Sequence, residues 1–125
     1  MTRKSSSPFV AIVDDDRSVQ SALRDLLESA GLAARGFGSA EEFLESDQRN
    51  QTGCVIADVR MPGMSGLDLQ AKLTAEGYRV PLIVITAHED GRMNQQAMNA
   101  GAVAFLSKPF DDDVLLKEVR AALNG

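Results

Sequence analysis

The sequence predicts an α/β domain of the doubly wound (βα)5 kind, with a single parallel sheet covered by helices on both faces. Three observations carry that prediction. Apolar runs of strand length alternate five times with segments whose apolar residues recur at helical offsets. The first, third and fourth runs are continuous in apolar character, as strands buried on both faces should be. Polar or charged residues close four of the five runs, at the strand ends where open α/β sheets form their ligand crevice.

The first strand is Phe9–Val13, and the helix after it carries Val19, Ala22, Leu23, Leu26, Leu27 and Ala30, closed by Gly31. A weaker strand, LAARGF, follows. Ser39-Ala-Glu-Glu42 then has the spacing of a capping box, opening a short helix with Phe43 and Leu44. CVIAD is the third strand and ends in Asp58. MPGMSG is turn chemistry; Ser65 is placed to cap a helix bearing Leu69 and Leu73, which Gly77 ends. Pro81–Thr86 is the fourth strand. A polar fourth helix over about Gly91–Ala100, ended by Gly101, leads to the fifth run, AVAFLSK. Pro109 precedes a fifth helix with Val114, Leu115, Val119, Ala122 and Leu123. Residues 1–8, MTRKSSSP, read as a flexible lead-in, and residues 9–124 as one domain.

At 125 residues the chain can bury a core without disulfides. Its net charge of −5 argues against a surface devoted to nucleic acid. No apolar run approaches the roughly 20 residues of a membrane span, and the N-terminus lacks the apolar stretch of a secretory signal. The single Cys54 excludes an internal disulfide and reads as a small core side chain in a reducing compartment. A bacterial cytoplasmic setting is the default expectation.

The stretch VAIVDDDRSV runs a buried strand straight into Asp14, Asp15 and Asp16. Two carboxylates about 4 Å apart repel by roughly 4 kcal/mol at an effective dielectric near 20. If strand one lies beside strand three, Asp14, Asp15 and Asp58 share one spot, and a cation belongs there. Mg2+ suits a few carboxylates plus waters and a phosphoryl oxygen. Lys108 adds a fixed positive charge, and the Thr86 hydroxyl can donate to the same oxygens. An Asp carboxylate so surrounded is equipped to attack phosphorus and become an acyl phosphate.

Taken together, IVDDD, VIADVRMPGMSG, VITAHED and GAVAFLSKPF resemble the receiver domain of two-component response regulators over about Phe9 to Asn124. FGSAEEFL and TAHED resemble its FixJ-like branch. The resemblance implies a flavodoxin-like, CheY-like sheet in the order 2-1-3-4-5. It implies Asp58 as phosphoacceptor, with Mg2+ (or Mn2+ in its place) held by Asp14, Asp15, Asp58 and the backbone carbonyl of Arg60. Lys108 would contact the phosphoryl oxygens, and its peptide bond to Pro109 would be cis. Thr86 and Phe105 would be the switch pair, and the side chains of Arg60 and His88 would modulate dephosphorylation. The family is a signalling domain that catalyses only its own phosphorylation and dephosphorylation. The partners implied are a sensor histidine kinase, a second copy on phosphorylation and a C-terminal helix-turn-helix output domain outside this chain; this domain itself binds neither DNA nor membrane. The surface that responds would be that of the fourth helix, fifth strand and fifth helix.

Plainer roles stand beside these. Asp16 reads as the residue that begins the first helix, Phe105 as core, and His88 as an exposed loop residue. Gly66 and Pro62 shape the loop after Asp58 and need carry no chemistry. Met93 and Met98 read as packing on a weakly anchored helix. Other function classes also remain open. Asp14-Asp15-Asp16-Arg17-Ser18 fits the D-x-D-x-[ST] pattern of haloacid-dehalogenase-type phosphatases, with Asp14 as nucleophile and Asp16 as acid, but it leaves Asp58 unexplained. A flavodoxin-like redox module would set three aspartates against its flavin phosphate. A phosphorylation-independent interaction module would keep partner binding in Asp58→Asn.

Overall fold

A computed structural model of the chain describes residues 9–46, 51–59, 63–77, 80–86, 95–96, 98–99, 101–107 and 111–124. Its strands are β1 (Phe9–Val13), β2 (Ala34–Phe37), β3 (Thr52–Asp58), β4 (Leu82–Thr86) and β5 (Ala104–Ser107). Its helices are α1 (Arg17–Ser29), α2 (Ala40–Glu45), α3 (Gly66–Ala75) and a C-terminal helix, Asp112–Asn124. All strand pairs are parallel, and the sheet runs β2-β1-β3-β4-β5. Both the doubly wound class and the 2-1-3-4-5 order are therefore as expected. Where the sequence predicts the fourth helix, Gln95, Gln96, Met98 and Asn99 are helical and exposed. The lead-in 1–8, Pro62, Met93 and Pro109 lie outside the described residues.

The period of two along each strand divides the core in two. Ala11, Val13, Val55, Ala57 and Val84 face α2 and α3, meeting Phe43, Leu69 and Leu73. Val10, Ile12, Ile56, Ile83 and Ile85 face α1 and the C-terminal helix, meeting Leu23, Leu27, Leu115 and Val119. All of β1 and β4 is buried, which is why their sequences read as unbroken apolar runs. The edge strands β2 and β5 are only partly covered, and their runs are correspondingly weaker.

Capping sets where the helices begin and end. Ser65 caps α3 with a complete capping box: its hydroxyl accepts from the Asp68 N–H, and Asp68 accepts from the Ser65 N–H. Ser39 caps α2 by accepting from the Glu42 N–H, but Glu42 reaches back one residue further than a box requires, to the Gly38 N–H at 3.1 Å. Gly31 closes α1 in the left-handed region at φ +82°, and Gly77 follows the last turn of α3 at φ +71°.

Candidate functional site

Register brings the site together. Val13 pairs with Ala57, so the next residues, Asp14 and Asp58, end neighbouring strands side by side. Asp58 pairs with Ile85, which puts Thr86 at the next strand end, and Thr86 pairs with Ser107 on β5. The carboxyl edge of the sheet thus carries Asp14, Asp58, Thr86 and Ser107 on four adjacent strands. Lys108, the residue after Ser107, lies outside the described residues, as do Arg60 and His88.

Asp14 extends the sheet one residue beyond β1, its N–H donating to the Phe37 carbonyl at 3.0 Å. Its side chain is 1% exposed, and its Oδ1 accepts from the Asp16 N–H at 2.9 Å. Asp58 is half-buried and Thr86 fully buried. Asp15 is exposed; it lines a polar cleft of about 340 Å³ with Arg17, Gln20, Arg24 and Glu42. Among the described residues, no three Asp, Glu, His or Cys side chains stand close enough to cage a metal ion by themselves. Asp16 is the N-cap of α1, its Oδ1 accepting from the Ser18 N–H at 2.8 Å. The carboxylate that a phosphatase of the D-x-D type needs as its acid is therefore engaged in starting a helix.

Two supports of the site, Gln20 and Glu41, went unnoticed in the sequence, and a third, Gly66, was read there only as shaping the loop after Asp58. The Gln20 amide donates to the carbonyls of Asp14 at 2.7 Å and Phe37 at 3.3 Å, tying α1 to the ends of β1 and β2. Glu41 of α2 accepts from the Met64 N–H at 3.3 Å, holding the loop after β3. Gly66 opens α3 directly against the Asp58 backbone, its N–H donating to the Val59 carbonyl at 3.3 Å. Only Gly66 had a signal, a glycine at the start of a capped helix; contacts of Gln20 and Glu41 depend on the folded sheet. On β5, Phe105 is half-buried and packs toward the α2–α3 face, while Ala104 and Leu106 face the other side.

The response regulator receiver domain model matches residues 10–120. This chain belongs to that family. The receiver is 46% identical to Nodulation protein W of Bradyrhizobium diazoefficiens over 121 residues, 97% of this chain and 53% of that protein. It is 46% identical to the transcriptional regulatory protein FixJ of Azorhizobium caulinodans over 91% of this chain and 54% of that protein. The chain thus spans about half the length of the curated relatives it matches. Among solved structures, the crystal structure of FixJ-N superposes with a TM-score of 0.87 at 38% identity, covering 96% of each chain. The receiver is a signalling domain, and among its described residues no helix is long and apolar enough to cross a membrane.

Proposed function

We propose that this receiver accepts a phosphoryl group on Asp58 from the phosphohistidine of a sensor kinase, in a bacterial cytoplasm, and so controls an output domain or partner. The observation that carries the reading is the register placing Asp14, Asp58 and Thr86 on three adjacent strand ends. An Asp58 carboxylate oxygen attacks phosphorus in line. The P–N bond of the donor breaks, and the released imidazole nitrogen keeps the electron pair and takes up a proton. The product is a mixed anhydride, the aspartyl phosphate.

Mg2+ is the cation this donor set fits. It takes one or two carboxylates and completes its shell with waters and a phosphoryl oxygen, so it needs no all-protein cage. Asp14 and Asp58, with Asp15 and the Arg60 carbonyl, would hold it, and bound there it would neutralise charge on the transferring group. Thr86, buried at the end of β4 beside the Asp58 strand end, would donate its hydroxyl proton to the phosphoryl oxygens, and Lys108, the residue after Ser107 in the sequence, would add its positive charge.

The response is a shift between two packings, driven by contacts that exist only after phosphorylation. Thr86 is drawn toward the phosphoryl group and Phe105 turns inward. Among the described residues the large apolar side chains left exposed are Met98, Val103 and Val114, on the segments that precede and follow β5 in the sequence. That placement supports a partner surface on this side, used by a second copy or by a helix-turn-helix domain like those expected of longer relatives.

Intact-protein mass after incubation with acetyl phosphate tests the reading, with and without Mg2+, on the native chain and Asp58→Asn. A Mg2+-dependent phosphoryl adduct absent from the variant is expected. An adduct that persists in Asp58→Asn moves the acceptor to another carboxylate. A native chain that never takes up phosphate, from acetyl phosphate or from a kinase, leaves a phosphorylation-independent binding module.

A further inference from the structure

Gln20 sits on the first helix, yet its amide is aimed at the sheet. Its Nε2 lies 2.7 Å from the Asp14 carbonyl oxygen and 3.3 Å from that of Phe37. Both neighbours are acceptors, which fixes the orientation of the amide: nitrogen, with its two protons, must face them. The Phe37 carbonyl already accepts from the Asp14 N–H, so a small network closes over the ends of β1 and β2.

The Asp14 carbonyl belongs to the peptide whose N–H is that of Asp15. Fixing this carbonyl fixes the peptide plane from which the Asp15 side chain departs, and it anchors the Asp14 main chain at the same time. Gly36 makes room for the arrangement. A Cβ there would overlap Gln20 Oε1 and would lie 3.1 Å from Gln20 Cδ. A glycine inside a strand is unfavourable by itself and marks a close approach; here the approaching group is the Gln20 amide.

We propose that Gln20 is a positioning residue for the acidic pair, holding the Asp14–Asp15 peptide in the orientation that presents both carboxylates to a divalent cation. This rests on the Mg2+ reading given above. In this role Gln20 is not a ligand; it acts through the Asp14 main chain, by the Asp14 carbonyl and by the Phe37 carbonyl that the Asp14 N–H also meets.

Mg2+ titration followed by backbone amide and carbonyl NMR shifts tests it on the native chain, Gln20→Met, Gln20→Glu and Gly36→Ala. Gln20→Met keeps the length and removes both donors. Gln20→Glu keeps the shape and sets a carboxylate against two carbonyls. Gly36→Ala leaves every polar group in place but pushes the flexible Gln20 side chain aside. All three should weaken Mg2+ binding about tenfold, the scale of one lost hydrogen bond transmitted in full, and should shift the Asp14 carbonyl resonance. Stability should fall least in Gly36→Ala, where only the end of a side chain must move.

Variants that lose stability but bind Mg2+ as the native chain does overturn the proposal and leave Gln20 a structural tie. A native chain that binds no Mg2+ overturns the metal reading and this proposal with it. If the variants fail to fold, the native chain decides. The Gln20 side-chain amide protons should resonate apart, exchange slowly and move on addition of Mg2+; unshifted protons overturn the proposal.

Discussion

A Cβ on Gly66 would stand 2.6 Å from the backbone carbonyl oxygen of Asp58 and 3.2 Å from its carbonyl carbon. The obstacle is main chain at the end of a central strand, so it cannot swing aside. Gly66 is not among the glycines with positive φ; it is needed for space, not for conformation. Gly66→Ala should therefore destabilise the domain by about 1–3 kcal/mol, the range for overpacking. The gain in helix propensity, up to about 1 kcal/mol, offsets only part of that. Because the displaced atoms are those of the proposed phosphoacceptor, the rate of Asp58 phosphorylation should fall as well. Urea unfolding and adduct formation from acetyl phosphate measure the two effects, and a variant unchanged in both would refute the packing account.

Glu41 makes a gentler case. It is exposed, so loss of its hydrogen bond to the Met64 N–H should cost less than about 1 kcal/mol of global stability. The local effect should be larger. Gly63 is held at φ +77°, and a Cβ there would lie 2.8 Å from Glu41 Oε2, so this carboxylate packs directly on the loop that follows β3. In Glu41→Ala the Met64 amide should exchange with solvent several-fold faster while core amides are unaffected. Glu41→Gln, which keeps an acceptor oxygen, should restore most of the protection. Equal exchange in all three chains would mean the contact holds nothing in place.

The two aspartate triplets show what could and could not be read in advance. Asp14-Asp15-Asp16 and Asp111-Asp112-Asp113 look alike as strings, and each contains a helix cap: Asp16 accepts from Ser18, and Asp111 accepts from the Asp113 N–H at 2.8 Å. Only the first triplet also has a residue, Asp14, buried at a central strand end beside another acidic strand end. The sequence indicated the difference because five alternating runs imply a parallel sheet, and a parallel sheet aligns the ends of its strands. The Ser65 cap was legible for the same reason that caps generally are, a local spacing rule, but its closing into a full box with Asp68 was not read, and the box expected at Ser39 is incomplete. The Glu42 side chain departed from its rule by one residue because the Gly38 N–H was the donor within reach. Gln20 and Gly36 were not legible at all: their contact joins a helix to an edge strand, and neither periodicity nor capping speaks to it.

Phe43 and Phe105 should differ sharply when truncated. Phe43 is fully buried and meets Phe37 edge-on, with ring centroids 5.4 Å apart and planes at 76°. Phe43→Ala should cost about 3–5 kcal/mol, the usual range for a buried aromatic. Phe105 is only half-buried against the same cluster, and Phe105→Ala should cost clearly less. An aromatic that rotates between states cannot be a main support of the core, so near-equal losses in urea unfolding would count against a switch role for Phe105.

Cys54 gives the fold a dependence on alkaline pH. The thiol is fully buried on β3, and burial disfavours the thiolate, pushing the pKa from an ordinary 9.0 up to about 12. In the unfolded chain the same group ionises near its ordinary value. Below about pH 9 both states hold the proton and the thiol contributes its full packing; as pH rises from 9 toward 12 the unfolded state loses its proton first, and stability falls. Lysine and tyrosine titrations overlay this trend, so the comparison must be with a chain that lacks the thiol. Cys54→Ala should be less stable than the native chain at pH 7, and the gap should shrink steadily between pH 9 and pH 11. At pH 8, alkylation of the native thiol should be slower than in the unfolded chain by on the order of a hundredfold or more, since the thiolate is the reactive form. A gap that stays constant with pH, or a native thiol as reactive as the unfolded one, would mean that Cys54 is reached by water in a way its burial does not allow.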